Sequence, residues 1–304
     1  MQRKEFNQLK KSVISDIRQQ KHRKRAAWLF SLIALIFVTL FGWYPLITAF
    51  IVAFQEFHLI RPSVFVGLEH FRLLLFFDWM VPLVFRNTLL YSGLSIGLTF
   101  LLPIIVSILL MEMRKNVIRV MMILWFIPMA SMAGIILWKW FYSPEYGLFN
   151  GILSRLGFPM LQWLRDPRLT MFCLVLPGII MYGPGLIYIA TIQSIPDELY
   201  EAAELEGARF WQKIWYITLP RLRPIIAVML ILGIVSRMQT FDLPFVMTGG
   251  GPNNAVMMVV IYIYQLAFSE FKYGRGTALS ILLFAVTMAL IILQRKYFKE
   301  NIDR

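Results

Sequence analysis

Five carboxylates crowd into ten residues: Asp197, Glu198, Glu201, Glu204 and Glu206 come from a 304-residue chain with only 17 Asp and Glu. Paired carboxylates serve general acid–base chemistry when a His, a Cys or a metal-ligand set stands with them. The three histidines, His22, His58 and His70, are far from one another and from the cluster in sequence, so the acidic stretch does not read as a catalytic site. A second polar group, Arg237, Gln239, Phe241 and Asp242, interrupts an aliphatic run. Planar polar groups suit sugar hydroxyls and aromatic faces suit the C–H surface of the ring; these four residues supply both kinds. Arg237 and Asp242 could equally pair with each other or reach toward a membrane surface. Tyr182 opens a Tyr-Gly-Pro-Gly stretch that can unwind a helix, which is tolerated at membrane depth where the backbone lines a cavity.

The elements that must position these residues are membrane helices. Charged residues make up 15% of the chain and mean hydropathy is +0.66, against about a quarter charged in ordinary soluble domains. A crossing helix needs roughly 20 mostly apolar residues. Apolar stretches predict six spans, at about 26–54, 87–111, 119–140, 170–193, 224–246 and 276–294, within a membrane domain covering 26–298. The first run is too long for a signal-peptide core and has no evident cleavage site, so it reads as a retained span. The stretch 255–268 is too short to cross and follows Gly249, Gly250, Gly251 and Pro252, which suits a re-entrant or interfacial helix. Cys173 is the sole cysteine and reads as a buried structural thiol.

Net charge is +13, but nine of the 30 Lys and Arg lie in residues 1–25, just before the first apolar run. That placement suits an anionic lipid surface rather than nucleic acid. With the N-terminus inside, segments 1–25, 112–119, 194–223 and 294–304 hold 9, 3, 4 and 4 basic residues, against 2, 3 and 2 in the outer loops. Both termini, including the short tail 299–304, and the acidic loop 194–223 are therefore expected in the cytoplasm. Lys139 with Trp138 and Trp140 reads as an interfacial belt.

Within the acidic loop, Ser194 can cap a helix, Pro196 suits its first turn, and Asp197 and Glu198 sit where the helix dipole favours anions. Leu199, Ala202, Ala203 and Glu206 would share one face, and Gly207 would permit a bend before a second helix over 208–217. Leu219-Pro220 is expected to stop that second helix.

Glu201-Ala202-Ala203, three residues, Gly207, nine residues, Ile217, one residue, Leu219-Pro220 resembles the EAA loop of permease subunits of binding-protein-dependent ABC importers. Glu206 stands where these proteins usually carry Asp, and both are carboxylates. The resemblance implies the type I ABC importer permease fold, an all-α membrane protein with a cytoplasmic coupling helix between spans four and five. It implies that Glu201, Ala202, Ala203, Glu206, Gly207, Leu219 and Pro220 couple this chain to an ATPase dimer. The chain has no Walker A sequence, so ATP and Mg would belong to that partner and this chain would bind no cofactor.

A second block narrows the resemblance to carbohydrate-type permeases, of the maltose and glycerol-phosphate transporter kind. It consists of Phe241-Asp242, Thr248 to Pro252, Tyr262 to Phe268 and Tyr273 to Ala278, with Val66 to Phe71, Arg86 to Leu89 and Gly147 to Asn150 before it. The implied partners are a second permease subunit, an extracytoplasmic solute-binding protein and a carbohydrate, in a bacterial-type plasma membrane. A permease for a non-sugar solute and an ion-coupled secondary carrier stand as alternatives.

Overall fold

The computed structural model describes residue 28 and residues 31–111, 113, 116–121, 123, 132–180 and 185–302. The basic tail 1–25, the middle of the expected third span (124–131) and Tyr182 lie outside the described residues. Among the described residues, four helices are long and apolar enough to cross a membrane: Ser31–Val52, Met80–Leu110, Phe210–Thr248 and Tyr273–Phe298. Two shorter apolar helices, Pro167–Ile179 and Val259–Ser269, accompany them.

In chain order, α1 is the helix Ser31–Val52, and a small hairpin follows in which β1 (Gln55–Glu56) pairs antiparallel with β2 (Val64–Phe65), Gln55 opposite Phe65. Next come α2 (Glu69–Arg72), α3 (Met80–Thr99), α4 (Leu102–Met111), α5 (Met132–Phe141), α6 (Leu148–Arg155), α7 (Pro167–Ile180) and α8 (Leu186–Gln193). Then follow α9 (Asp197–Leu205), α10 (Phe210–Lys213), α11 (Leu219–Met238), α12 (Asp242–Thr248), α13 (Val259–Tyr264) and α14 (Tyr273–Ile302). The second span therefore starts at Met80, ahead of the uncharged stretch beginning at Asn87, and carries Arg86 within it.

Proline shapes two of the long helices in the same way. Pro220 does not stop the helix as the sequence suggests: a π-helical turn, Ile214–Thr218, carries α10 directly into α11. A proline ring clashes with the carbonyl four residues back, and the wider turn makes room for it. In the first span a π turn at Thr39–Trp43 precedes Pro45 at the same offset.

Packing is centred on α3 and α11. Helix α11 contacts α3, α8 and α14, while α3 also meets α7 and α13. The buried face of α3 carries Val84, Thr88, Tyr91, Ser95 and Thr99 at helical spacing. Small hydroxyl residues on such a face allow close helix approach, and Thr88 and Thr99 hand their hydroxyl hydrogens back to carbonyls one turn earlier. The main core gathers Leu74, Tyr91, Tyr142, Leu174, Met258 and Leu279, with Val256 to Val259 and Ile261 at its centre. The stretch 255–268 is thus buried within protein along most of its length. A smaller core, Ile104, Tyr188, Ile192 and Leu222, ties α4, α8 and α11 beneath the acidic loop. Helix α1 is exposed over nearly all of its length, with Leu35, Phe37, Phe41 and Trp43 outward, as a lipid-facing helix is.

Candidate functional site

The acidic loop folds into a helix, a glycine turn and a second helix. Ser194 does not cap the acidic helix; it closes α8, donating its hydroxyl hydrogen to the Thr191 carbonyl at 2.7 Å. Pro196 occupies the N-cap of α9, and Asp197 and Glu198 stand in the first turn, where the dipole favours them. The other end is a Schellman closure. Ala208 N–H donates to Ala203 O and Gly207 N–H to Glu204 O, both at 2.9 Å, with Gly207 at φ +79°. No neighbouring atom lies within 4 Å of a Cβ built on Gly207, so the requirement for glycine there is one of backbone conformation.

Two long-range ties fix α9 against the helix that follows. Lys213 Nζ meets Glu204 Oε1 at 2.7 Å, and the Tyr200 and Thr218 hydroxyls lie 3.0 Å apart. Thr218, Ile214 and Leu222 are buried, anchoring the start of the long helix. Everything else faces out: Glu201, Ala202, Glu206 and Gly207 are exposed, Ala203 is half-buried, and Leu205 is 90% exposed. Of the expected coupling residues, Leu219 is half-buried and Pro220 exposed, both inside the continuous helix rather than beyond its end. The surface combines acid, small residues and an apolar tip, and the glycine turn, α10 and the π turn join it to the long helix that follows.

The second candidate group lies at a break in that same helix. Helix α11 ends at Met238, Gln239 caps it, and α12 resumes at Asp242. Arg237 and Phe241 are half-buried, while Gln239 and Asp242 are exposed. Among the described residues Arg237 and Asp242 form no ion pair with each other. Phe241 stacks on Phe245 with centroids 4.7 Å apart and lies 5.4 Å from Tyr264, which meets Phe268 at 5.2 Å. The break thus places polar groups beside a ladder of partly exposed rings. Tyr182 falls between α7 and α8 and outside the described residues.

Lys139 and its tryptophans divide. Trp138 is 4% exposed and packs among Phe141, Tyr142 and Phe149, so it belongs to the core and not to a membrane-surface belt; Trp140 is exposed. Lys139 Nζ donates to the Val246 carbonyl of α12 at 2.9 Å.

Four motif residues carry roles that the sequence left unassigned: three side chains act as clamps and one glycine permits a close approach. Asn87 Nδ2 donates to the carbonyls of Asn254 (2.9 Å) and Met257 (3.2 Å), and Thr88 Oγ1 accepts from Val259 N–H (3.0 Å). Together they pin the glycine-rich loop 249–258 to α3. Asn150, 2% exposed, donates to Pro144 O and Leu161 O and accepts from Leu161 N–H and Trp163 Nε1–H. A Cβ on Gly274 would sit 2.4 Å from both Gln55 O and His70 Nε2, so this glycine lets α14 approach the hairpin. Their signal in the sequence is a polar side chain in an apolar span, or a glycine without a turn.

Comparison with known proteins accords with this architecture. The family described as "Binding-protein-dependent transport system inner membrane component" matches residues 100–304. The chain is 34% identical over 240 residues to the sulfoquinovosyl glycerol transport system permease protein SmoG of Agrobacterium fabrum, covering 75% of each. It is 35% identical over 217 residues to the trehalose/maltose transport system permease protein MalF of Thermococcus litoralis, covering 69% of this chain and 72% of that one. Among solved structures, it resembles a chain of a bacterial ABC transporter that imports the acidic polysaccharide alginate, with TM-score 0.78, 26% identity and 93% and 99% of the two chains covered. It also matches a chain of the alginate transporter in complex with its pentasaccharide-bound periplasmic protein, at TM-score 0.79, 25% identity and 92% and 96% coverage.

Proposed function

As this chain belongs to the binding-protein-dependent transport system inner membrane component family, we propose that it forms one half of the pathway of an ATP-driven sugar importer. It is a permease of a binding-protein-dependent ABC importer, with relatives whose names carry glycoside and disaccharide solutes. Carbohydrate is accordingly the class of solute we assign to it. Six spans with both termini in the cytoplasm are supported by the four long helices, by α5 in the third expected span, by Pro167–Ile179 in the fourth and by the distribution of basic residues.

A second permease completes the pathway, a pair of ATPase subunits carries ATP and Mg, and an extracytoplasmic binding protein delivers solute. Helix α9 docks into the ATPase through Glu201, Ala202, Ala203, Glu206 and Gly207, with Leu205 at the contact. Closure of the ATPase pair pushes α9, and the Glu204–Lys213 and Tyr200–Thr218 ties pass the push into the helix ending at the Arg237–Asp242 break. There Arg237, Gln239, Phe241 and Asp242, with Tyr182 from the neighbouring span, offer hydrogen bonds and ring faces to a passing sugar, and access alternates from one side of the membrane to the other.

The observation that carries the proposal is the exposed α9 surface, locked by its own backbone and mechanically continuous with a membrane-crossing helix. Its test is purification of the tagged chain from its native membrane. A Walker-motif ATPase and a second EAA-bearing permease should accompany it; recovery of the chain alone would contradict the proposal.

A further inference from the structure

A cavity of about 600 Å³ opens at the far end of α12 from the helix break, between α5, the 143–165 segment and the glycine-rich loop. Its volume falls within the ~300–1,000 Å³ typical of small-molecule sites. Lys139 and Arg165 supply two cations to its wall, Trp140 and Tyr146 two exposed ring faces, and Ser143 and Thr248 two hydroxyls. Among the described residues no carboxylate lines it. The nearest acids along the chain are Glu145 and Asp166, and Asp166 Oδ1 accepts from the Arg168 backbone N–H at 2.8 Å.

Neither cation has a carboxylate partner among the described residues. Lys139 gives one hydrogen to Val246 O and keeps two for a ligand. Arg165 presents a planar fork that suits a carboxylate or a related oxyanion held by two hydrogen bonds. Aromatic faces with hydroxyls suit the ring of a sugar, and a pair of cations that holds no carboxylate in an ion pair suits a negative substituent on it. Thr248 and Met247 of α12 join this cavity to the segment that begins at the break, so a ligand held here waits at the outer end of the proposed route.

From this combination we infer that the cavity is a receiving subsite for an anionic saccharide, taking it before it reaches the Arg237–Asp242 break. The assignment rests on the importer reading and narrows its substrate class.

The test uses the assembled importer in nanodiscs without added binding protein, probed by saturation-transfer NMR with di-galacturonate and its carboxyl-reduced neutral counterpart, and with inorganic sulfate, which has no protons to observe, scored by its competition against di-galacturonate. Di-galacturonate should bind at least about tenfold more tightly than the neutral disaccharide, and Arg165→Gln should remove at least about tenfold of its affinity. Binding should weaken as salt rises, because the cavity is open to solvent. Lys139→Arg keeps the charge and the bond to Val246, and should retain the preference, whereas Lys139→Gln should lose it. Equal binding of acidic and neutral disaccharides, or sulfate binding as tight as di-galacturonate, would overturn the assignment. ATPase co-purification is scored on the same samples: its absence would break the importer reading, whereas intact assembly without acidic preference breaks the subsite alone.

Discussion

Two glycine turns flank the long helix 210–248, and they are held in opposite ways. The turn after α9 is closed by its own backbone, through the paired bonds to Ala203 and Glu204, and its side chains stand in solvent. The turn after α12 has Gly249 and Gly250 at positive φ, but it is held by side chains far away in sequence, Asn87 and Thr88 of α3, and its next residues, Val256 to Val259, are buried. A loop closed locally keeps its surface free for a partner; a loop closed from a distance is committed to the fold. The first is suited to receive a push and the second to resist one.

Three substitutions break or sharpen this contrast. Asn87→Leu removes both donors to the part-buried Asn254 and buried Met257 carbonyls, and should cost about 3 kcal/mol through unsatisfied acceptors. The reporter is native: Cys173 is buried, so its reactivity toward a maleimide dye during heating should rise at a distinctly lower temperature in the variant. Gly207→Ala forces a side chain into the left-handed region at φ +79° and should cost about 1 kcal/mol, confined to the α9 turn. Its mark is ATP hydrolysis less well coupled to uptake while Cys173 unmasks at the parental temperature. Glu204→Gln weakens a contact whose acid is more than half exposed, and should change stability by about 0.5 kcal/mol or less. The difference between Glu204→Gln and parent in coupling assays should shrink as salt increases.

Much of this was legible in the chain before folding. Long uncharged runs mark spans because a bilayer penalises charge and unsatisfied backbone alike, and the sequence of the acidic loop located α9 and the Gly207 turn. Pro220 misleads because a one-residue widening of the helix, invisible in composition, accommodates the ring. Ser194 misleads because it has two helices within reach and closes the earlier one. Trp138 and Trp140 are nearly adjacent, yet one is core and one surface, a difference set by which face of α5 meets Phe149 of α6. Asn87 and Asn150 act on carbonyls presented by folded loops, some of them more than 160 residues away, and no local pattern encodes that. The polar set Arg237, Gln239, Phe241 and Asp242 was legible as a group, and the helix break that unites it is the structural reason why charge is tolerated there.

The claim at the centre of this account is that α9 meets the ATPase. Replacing the exposed Ala202 with a photo-crosslinking residue, then irradiating native membranes, tests it most directly. A single adduct with a polypeptide bearing a Walker motif, lost when the crosslinker is moved to the exposed Ile60 between β1 and β2, is the result the account requires. Adducts to lipid alone, or the same ATPase adduct from both positions, would contradict it.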